Sequence, residues 1–244
     1  MPKHFFFDFD NTLTRSKSPI LPAHEEILKR LGQAYDVIIV SGSGEKNVWS
    51  RLTDVSRGAY YSLTQNGNRA FQKERTLLWE RPLSEEQKAA ITRFIGLARA
   101  HTPTTVPDEN DLLEDRGCQM AFSFIGQHAD IEIKEKFDPD FSKRRKVLAD
   151  LHDEVAKLGD EHGIEITIGG TTNLDIYLKG FNKGYNARQL MDLMQWEADE
   201  CLYTGDALFP GGNDETVVGV MPTRHVKDYH ETYAYLKDIL SQSH

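Results

Sequence analysis

The sequence predicts an α/β fold: a Rossmann-like parallel sheet core with helices on both faces, interrupted by an inserted α+β cap. Three observations predict it. The chain opens strand–helix–strand–helix, the alternation that builds a parallel sheet with covering helices. The middle switches to helix–strands–helix–strands, and the end returns to alternating helix and apolar strand. The expected core spans 1–82 and 181–244, and the expected cap spans 83–180.

Taken in order, residues 4–9 form a short aromatic run that predicts a buried strand. Residues 21–32 predict a helix, with Pro22 in its first turn, Ile27, Leu28 and Leu31 on one face, and Gly32 as a stop. Residues 35–44 predict a second buried strand ending in small residues, and 45–52 a helix. In the middle, 84–101 has a serine start and helical spacing at Ile91, Phe94, Ile95 and Ala98. A stretch rich in Thr, Pro, Asp and Asn follows, and 112–126 predicts a strand or a bent strand pair. One long helix is expected over 140–163, with Val147, Leu148, Leu151, Val155 and Leu158 on a face, then two strands around a glycine turn over 164–180. The end predicts a helix (183–196), a buried strand (200–209), a second strand (216–221) and a closing helix (229–240).

Composition narrows the function. The 244 residues carry a formal net charge of −9, which disfavours a sequence-independent nucleic-acid binder, since that role needs a basic face. The basic run at 143–146 is expected to be a solvated helix face. No apolar run reaches the ~20 residues of a membrane helix, and the start is not patterned as a signal peptide. Two cysteines, Cys118 and Cys201, make no disulfide framework, so a reducing, cytoplasmic setting is expected. The nine histidines, His244 among them, show no metal-ligand spacing. The Asn-Gly within 65–68 is expected to be a hairpin turn.

The chemistry gathers at strand ends. In an open parallel sheet, ligands bind beyond the carboxyl ends of the strands. Asp8 and Asp10 stand there after the first strand, Ser41 after the second and Asp206 after the strand at 200–209, with Asp214 in a glycine-rich loop beyond. A single aspartate at such a place is as readily a cap or turn former. Four acids from distant segments at one edge instead call for a cation, and an all-oxygen donor set points to Mg²⁺. Asp8 could then attack phosphorus, Asp10 could serve as acid and base, Ser41 could hold the phosphoryl oxygens and Lys183 could supply an ammonium.

These residues resemble the haloacid dehalogenase superfamily of phosphotransferases, whose four motifs correspond in order to "DFDNT" (8–12), Ser41 of "IVSGSG", Lys183 of "FNKG" and "GDALFPGGND" (205–214). Within it, "IGGTTNLDIYLKGFNKGYNARQL" and "TGDALFPGGNDE" are similar to eukaryotic-type phosphomannomutases, which carry a large cap between the second and third motifs. The resemblance implies Asp8 as nucleophile, Asp10 as acid/base and Lys183 as charge balance. It also implies Thr12, Ser41 and Gly42 at the phosphate. Asp8, the Asp10 carbonyl and Asp206 would hold Mg²⁺, with Asp214 and Asn213 in support. Arg116, Asn173 and Asp175 would meet a phosphorylated sugar in the cap, and caps of this family often pair as dimers.

Departures from the pattern bear on the reaction. Asn11 stands where the mutases carry glycine, Lys17 near an expected arginine, and Gln127 at the arginine expected after "FSFIG". The segment "HADIEIKEK" offers no match for a further cap arginine. A mutase must grip a second phosphate in either orientation, a task suited to arginine's planar fork. A hydrolase needs only the inner phosphate and a water. The expectation is therefore a Mg²⁺-dependent phosphatase of a small phosphorylated metabolite, a sugar phosphate above all, with phosphomannomutase as the alternative and a non-catalytic phosphosugar-binding module behind it.

Overall fold

The computed structural model describes residues 1–54 and 56–242; His244 lies outside the described residues. The chain divides into two compact units, Met1–Glu80 together with the chain from Phe181 onward, and Arg81–Gly180.

The larger unit begins with β1 (His4–Asp8), α1 (Pro22–Ala34), β2 (Asp36–Val40), α2 (Glu45–Ser50), β3 (Tyr61–Thr64), β4 (Arg69–Phe71) and β5 (Leu77–Glu80). The smaller unit supplies α3 (Glu85–His101), β6 (Leu113–Asp115), β7 (Gln119–Ser123), α4 (Ile131–Phe137), α5 (Ser142–Asp150), α6 (His152–His162), β8 (Ile164–Gly169) and β9 (Asn173–Leu178). The chain then returns with α7 (Lys183–Met194), β10 (Cys201–Gly205), β11 (Thr223–His225) and α8 (Tyr229–Gln242).

The larger sheet runs β11-β10-β1-β2-β3-β4-β5. Its first five strands are parallel, and β4 pairs antiparallel with both β3 and β5. Every residue of β1 is buried because both of its faces are covered. Phe5 and Phe7 pack with Leu28 and Leu31 of α1 and Leu236 of α8. Phe6 points the other way, into a cluster with Ala187, Leu190 and Met191 of α7. Each such phenylalanine contributes about 1.5–3 kcal/mol by burial. The strand order reverses at β1, with β2 on one side and β10 on the other, so its carboxyl end is the switch point where ligands bind in such sheets.

The smaller unit is a four-stranded antiparallel sheet, β6-β7-β9-β8. One face (Met120, Phe122, Leu174, Ile176, Ile164) packs on Ile91 and Phe94 of α3, Val147 of α5 and Leu158 of α6. Ser84 and Gln87 close a capping box at the start of α3. The stretch 112–126 is a strand pair, β6 and β7, turning at Gly117, whose φ of +91° suits a residue without a side chain.

Four sequence expectations need correction or completion. The strand expected at 216–221 does not form: the N–H groups of Val217 and Val218 donate locally to Asp214 and Glu215, closing a 3-10 turn over Glu215–Val217. The edge strand is instead β11, fully exposed and polar, which an apolar-run criterion passes over. The helix expected over 140–163 breaks at Leu151 (φ −106°, ψ 26°), giving α5 and α6. The basic run at 143–146 is not a wholly solvated face, because Arg144 is fully buried against Asp138. Finally, β3–β5 and α4 had no predicted counterpart, though "QNGN" does form the β3–β4 turn, with Gln65 and Asn66 both at positive φ.

Candidate active site

Asp8 is the last residue of β1 and is 4% exposed. Its Oδ1 accepts a hydrogen bond of 2.6 Å from Nζ of Lys183, the first residue of α7. The same ammonium donates to Asp214 Oδ1 at 2.7 Å. Lysine is delivered here because Gly184 lets the start of α7 press on the 215–217 turn: a Cβ at Gly184 would lie 1.9 Å from the Thr216 carbonyl oxygen. Asp214 is reached in the same way, since a Cβ at Gly205 would lie 2.4 Å from Asp214 Oδ2. Its carboxylate also accepts from the Tyr203 hydroxyl at 2.6 Å. Asp206 follows β10, half-buried, and accepts long bonds of 3.4 Å each from Asn11 Nδ2 and Thr12 Oγ1. Asn11 has φ +61°, the left-handed conformation that asparagine adopts more readily than most residues.

One oxygen from each of Asp8, Asp206 and Asp214 lies within 4.8 Å of the others, and the one ammonium pairs with only two of these carboxylates, Asp8 and Asp214. Burial pushes the Asp8 carboxyl well up, against the pull of Lys183. Burial and the Asp214 charge raise Asp206 to about 6. Burial opposes the charge on Lys183, but Asp214 and Asp8 outweigh it and raise the ammonium. This excess of buried negative charge with hard oxygen donors fits a divalent cation such as Mg²⁺.

Asp10 is held by a separate set of donors. Its Oδ1 accepts from the Lys17 N–H and from Nη2 of Arg51, both at 2.9 Å. Burial acts to raise its pKa, and the Arg51 guanidinium overcomes this and holds the carboxyl below its ordinary value. Ser41 is buried just past β2, and its Oγ accepts from the Ser43 N–H at 3.0 Å. The β3–β4 turn closes on this segment: Asn66 N–H donates to the Ser41 carbonyl and Gln65 N–H to that of Ser43. Gly42 lies between these two serines, and Asn213 is half-buried directly before Asp214.

The residues expected in the smaller unit share the second face of its sheet. Strand register sets Glu114, Ala121, Asp175 and Thr167 in one row, with Asn173 two residues along β9. Arg116 folds back onto Glu114 through Nε (2.9 Å) and Nη2 (2.6 Å). Asp175 lies so close under Gly169 that a Cβ there would be 2.3 Å from its Oδ2. Gln127 is buried and structural: its Nε2 donates to the Ala121 carbonyl at 2.9 Å and its Oε1 accepts from Asn173 at 3.1 Å.

Sequence reasoning missed Arg51 and Tyr203. Tyr203 leaves a signal, a hydroxyl inside an apolar strand that must find a partner. Arg51 leaves almost none, being one more cation at the end of an amphipathic helix.

Comparison with known proteins decides the family. The sequence model described as eukaryotic phosphomannomutase matches residues 24–242. The chain belongs to the eukaryotic phosphomannomutase family. The phosphomannomutase of Schizosaccharomyces pombe is 26% identical, over 96% of this chain and 93% of that protein. In fold, the chain is similar to a Plasmodium falciparum IMP-nucleotidase (TM-score 0.72, 15% identity, 98% of this chain and 67% of that one). It is also similar to a haloacid dehalogenase-like hydrolase of Bacteroides thetaiotaomicron (TM-score 0.60, 16% identity, 91% and 86%). The resemblance noted from the motifs is thus a membership. The protein is an enzyme of haloacid dehalogenase-type phosphoryl transfer, a phosphatase or a phosphomannomutase by type. Among the described residues, no helix is long and apolar enough to cross a membrane.

Proposed function

We propose that the protein is a phosphatase of a small phosphorylated metabolite, a sugar phosphate, acting through an aspartyl-phosphate on Asp8. The observation that carries the hydrolytic reading is Gln127. At the position where the mutase pattern expects an arginine, the side chain is buried and spent on the sheet itself. Two cations of the same unit are engaged too, Arg116 with Glu114 and Lys134 with the Gln127 carbonyl. That supports one bound phosphate rather than two. The names of the relatives favour a second reading, phosphomannomutase.

In this account an Asp8 oxygen attacks phosphorus and the bond to the sugar oxygen breaks, while Asp10 protonates the departing oxygen. A water then attacks the phosphoryl group and gives its proton to Asp10, and phosphate leaves Asp8. Thr12, Ser41 and Gly42 bind the phosphoryl oxygens, and Lys183 holds Asp8 and Asp214 in place. Asp8, the Asp10 carbonyl and Asp206 would hold Mg²⁺, with Asp214 and Asn213 supporting them. Bound there, the ion neutralises phosphate charge. The smaller unit acts as the substrate-choosing cap, with Asn173 and Asp175 toward the sugar, and pairs two copies into a dimer. Buried thiols at Cys118 and Cys201 suit a cytoplasmic setting.

Phosphorus NMR of mannose 1-phosphate with Mg²⁺ and a trace of hexose bisphosphate tests the choice. Steady release of inorganic phosphate is expected; conversion to mannose 6-phosphate without it would establish the mutase.

A further inference from the structure

Asp10 is not simply exposed at the strand end. Both of its donors, the Lys17 N–H and Arg51 Nη2, take the same oxygen, Oδ1, at 2.9 Å. The carboxyl is about a quarter exposed, whereas the Arg51 side chain is 5% exposed. Arg51 is itself fixed from several directions. Its Nε donates to the Ser18 carbonyl at 2.9 Å, and Nη1 donates to Asn47 Oδ1 and Nη2 to the Arg15 carbonyl, both at 3.4 Å. Its guanidinium lies 4.2 Å over the ring of Phe9, the residue between the two acids. A planar fork held on its face and edges cannot turn, so the carboxylate it grips cannot turn either.

We propose that Arg51 is the positioning residue of Asp10: by pinning Oδ1 it presents Oδ2 in one direction, toward the oxygen that leaves phosphorus. The proposal rests on the reading of Asp10 as acid and base. It assigns to the residue that ends α2, a helix that carries no expected catalytic residue, the task of orienting proton transfer. Orientation of this kind governs proton delivery because a small misplacement of the carboxyl lengthens the transfer path.

The test uses substrates that differ in their need for a proton. p-Nitrophenolate leaves phosphorus without one, whereas phenolate and a sugar alkoxide depend on it. kcat/KM reports the first half-reaction, in which Asp8 is phosphorylated. In Arg51→Met, kcat/KM should fall about 30-fold on phenyl phosphate and mannose 6-phosphate and less than about 3-fold on p-nitrophenyl phosphate, a part of the roughly 10²–10⁴-fold that a general acid supplies, since Asp10 itself remains. In an Asp10→Asn background the same substitution should have almost no further effect, because one unit has been broken twice. Arg51→Lys, which keeps the charge without the fork, should fall between. Circular dichroism of each variant separates these losses from misfolding, and Arg51→Gln replaces Arg51→Met if that variant does not fold.

Equal losses on all three substrates, adding fully to those of Asp10→Asn, would overturn the proposal and leave Arg51 as a brace of the 15–18 loop. Full activity in Asp10→Asn would overturn the acid/base reading, and the Arg51 role with it; only that failure shows in the single Asp10 variant.

Discussion

Each unit buries a strong charge cluster, and the two clusters are built oppositely. In the smaller unit, Arg144 meets Asp138 at 2.7 Å with both side chains fully buried, and its Nη1 also donates to the carbonyls of Gly169, Gly170 and Asn173. The guanidinium is bonded to one carboxylate, with the Asp175 charge also acting on it, and carbonyl dipoles take further protons. In the larger unit, one ammonium, Lys183, faces Asp8 and Asp214, with Asp206 close by. The first cluster is complete within the fold and serves structure. The second is short of positive charge and is stable only with more of it, which a cation or protons supply. Local charge balance therefore separates a buried pair that braces a sheet from one prepared for chemistry.

The largest expected effect breaks the second cluster at its center. Asp8→Asn removes the nucleophile and one surplus charge together. Turnover should fall by about a thousand-fold or more, while the thermal midpoint without divalent ions stays level or rises. Arg144→Met attacks the complete cluster and should do the reverse. It leaves Asp138 buried without its partner and costs about 3–5 kcal/mol in denaturant unfolding.

Acidity sharpens the contrast. Asp206 is raised to about 6, so the folded state binds its proton more tightly than the unfolded chain does. Stability of the ion-free protein should accordingly decrease as pH rises from about 4 to 6, by up to about 3 kcal/mol, and the slope should flatten in Asp206→Asn. Added Mg²⁺ should reverse that loss in the wild type but not in Asp206→Asn, read by thermal melts at each pH. The smallest effect belongs to Tyr203→Phe. Removing the hydroxyl that donates to Asp214 should cost about 1 kcal/mol, with a few-fold loss of kcat as Lys183 loses part of its frame.

Three strands of the parallel sheet, β1, β2 and β10, were legible because they are short apolar runs that end abruptly in polar residues, at Asp8, Ser41 and Asp206. The same abruptness exposed much of the acid cluster. Much of what stayed hidden was short, polar or irregular. β11 is wholly exposed, so its residues carry no hydrophobic signal. β4 is three residues long and lies between a turn with two left-handed residues and an irregular link to β5. The break at Leu151 is a local backbone choice within a continuous helical pattern, with no proline or glycine to announce it. Arg144 reads as one of four similar cations at 143–146, and only the tertiary placement of Asp138 distinguishes it. Asn11 was readable for a different reason: its φ of +61° is a conformation for which glycine and asparagine are substitutes.

The central claim is that the surplus acid at Asp8 is a nucleophile, and a quench experiment tests it most directly. The enzyme, mixed with Mg²⁺ and a ³²P-labeled sugar phosphate, is stopped in acid within its first turnover, digested and mapped. One hydroxylamine-labile phosphoryl group is expected on the peptide that contains Asp8, absent from Asp8→Asn. Phosphate released with no label on the protein at any time, or label retained in Asp8→Asn, would contradict it.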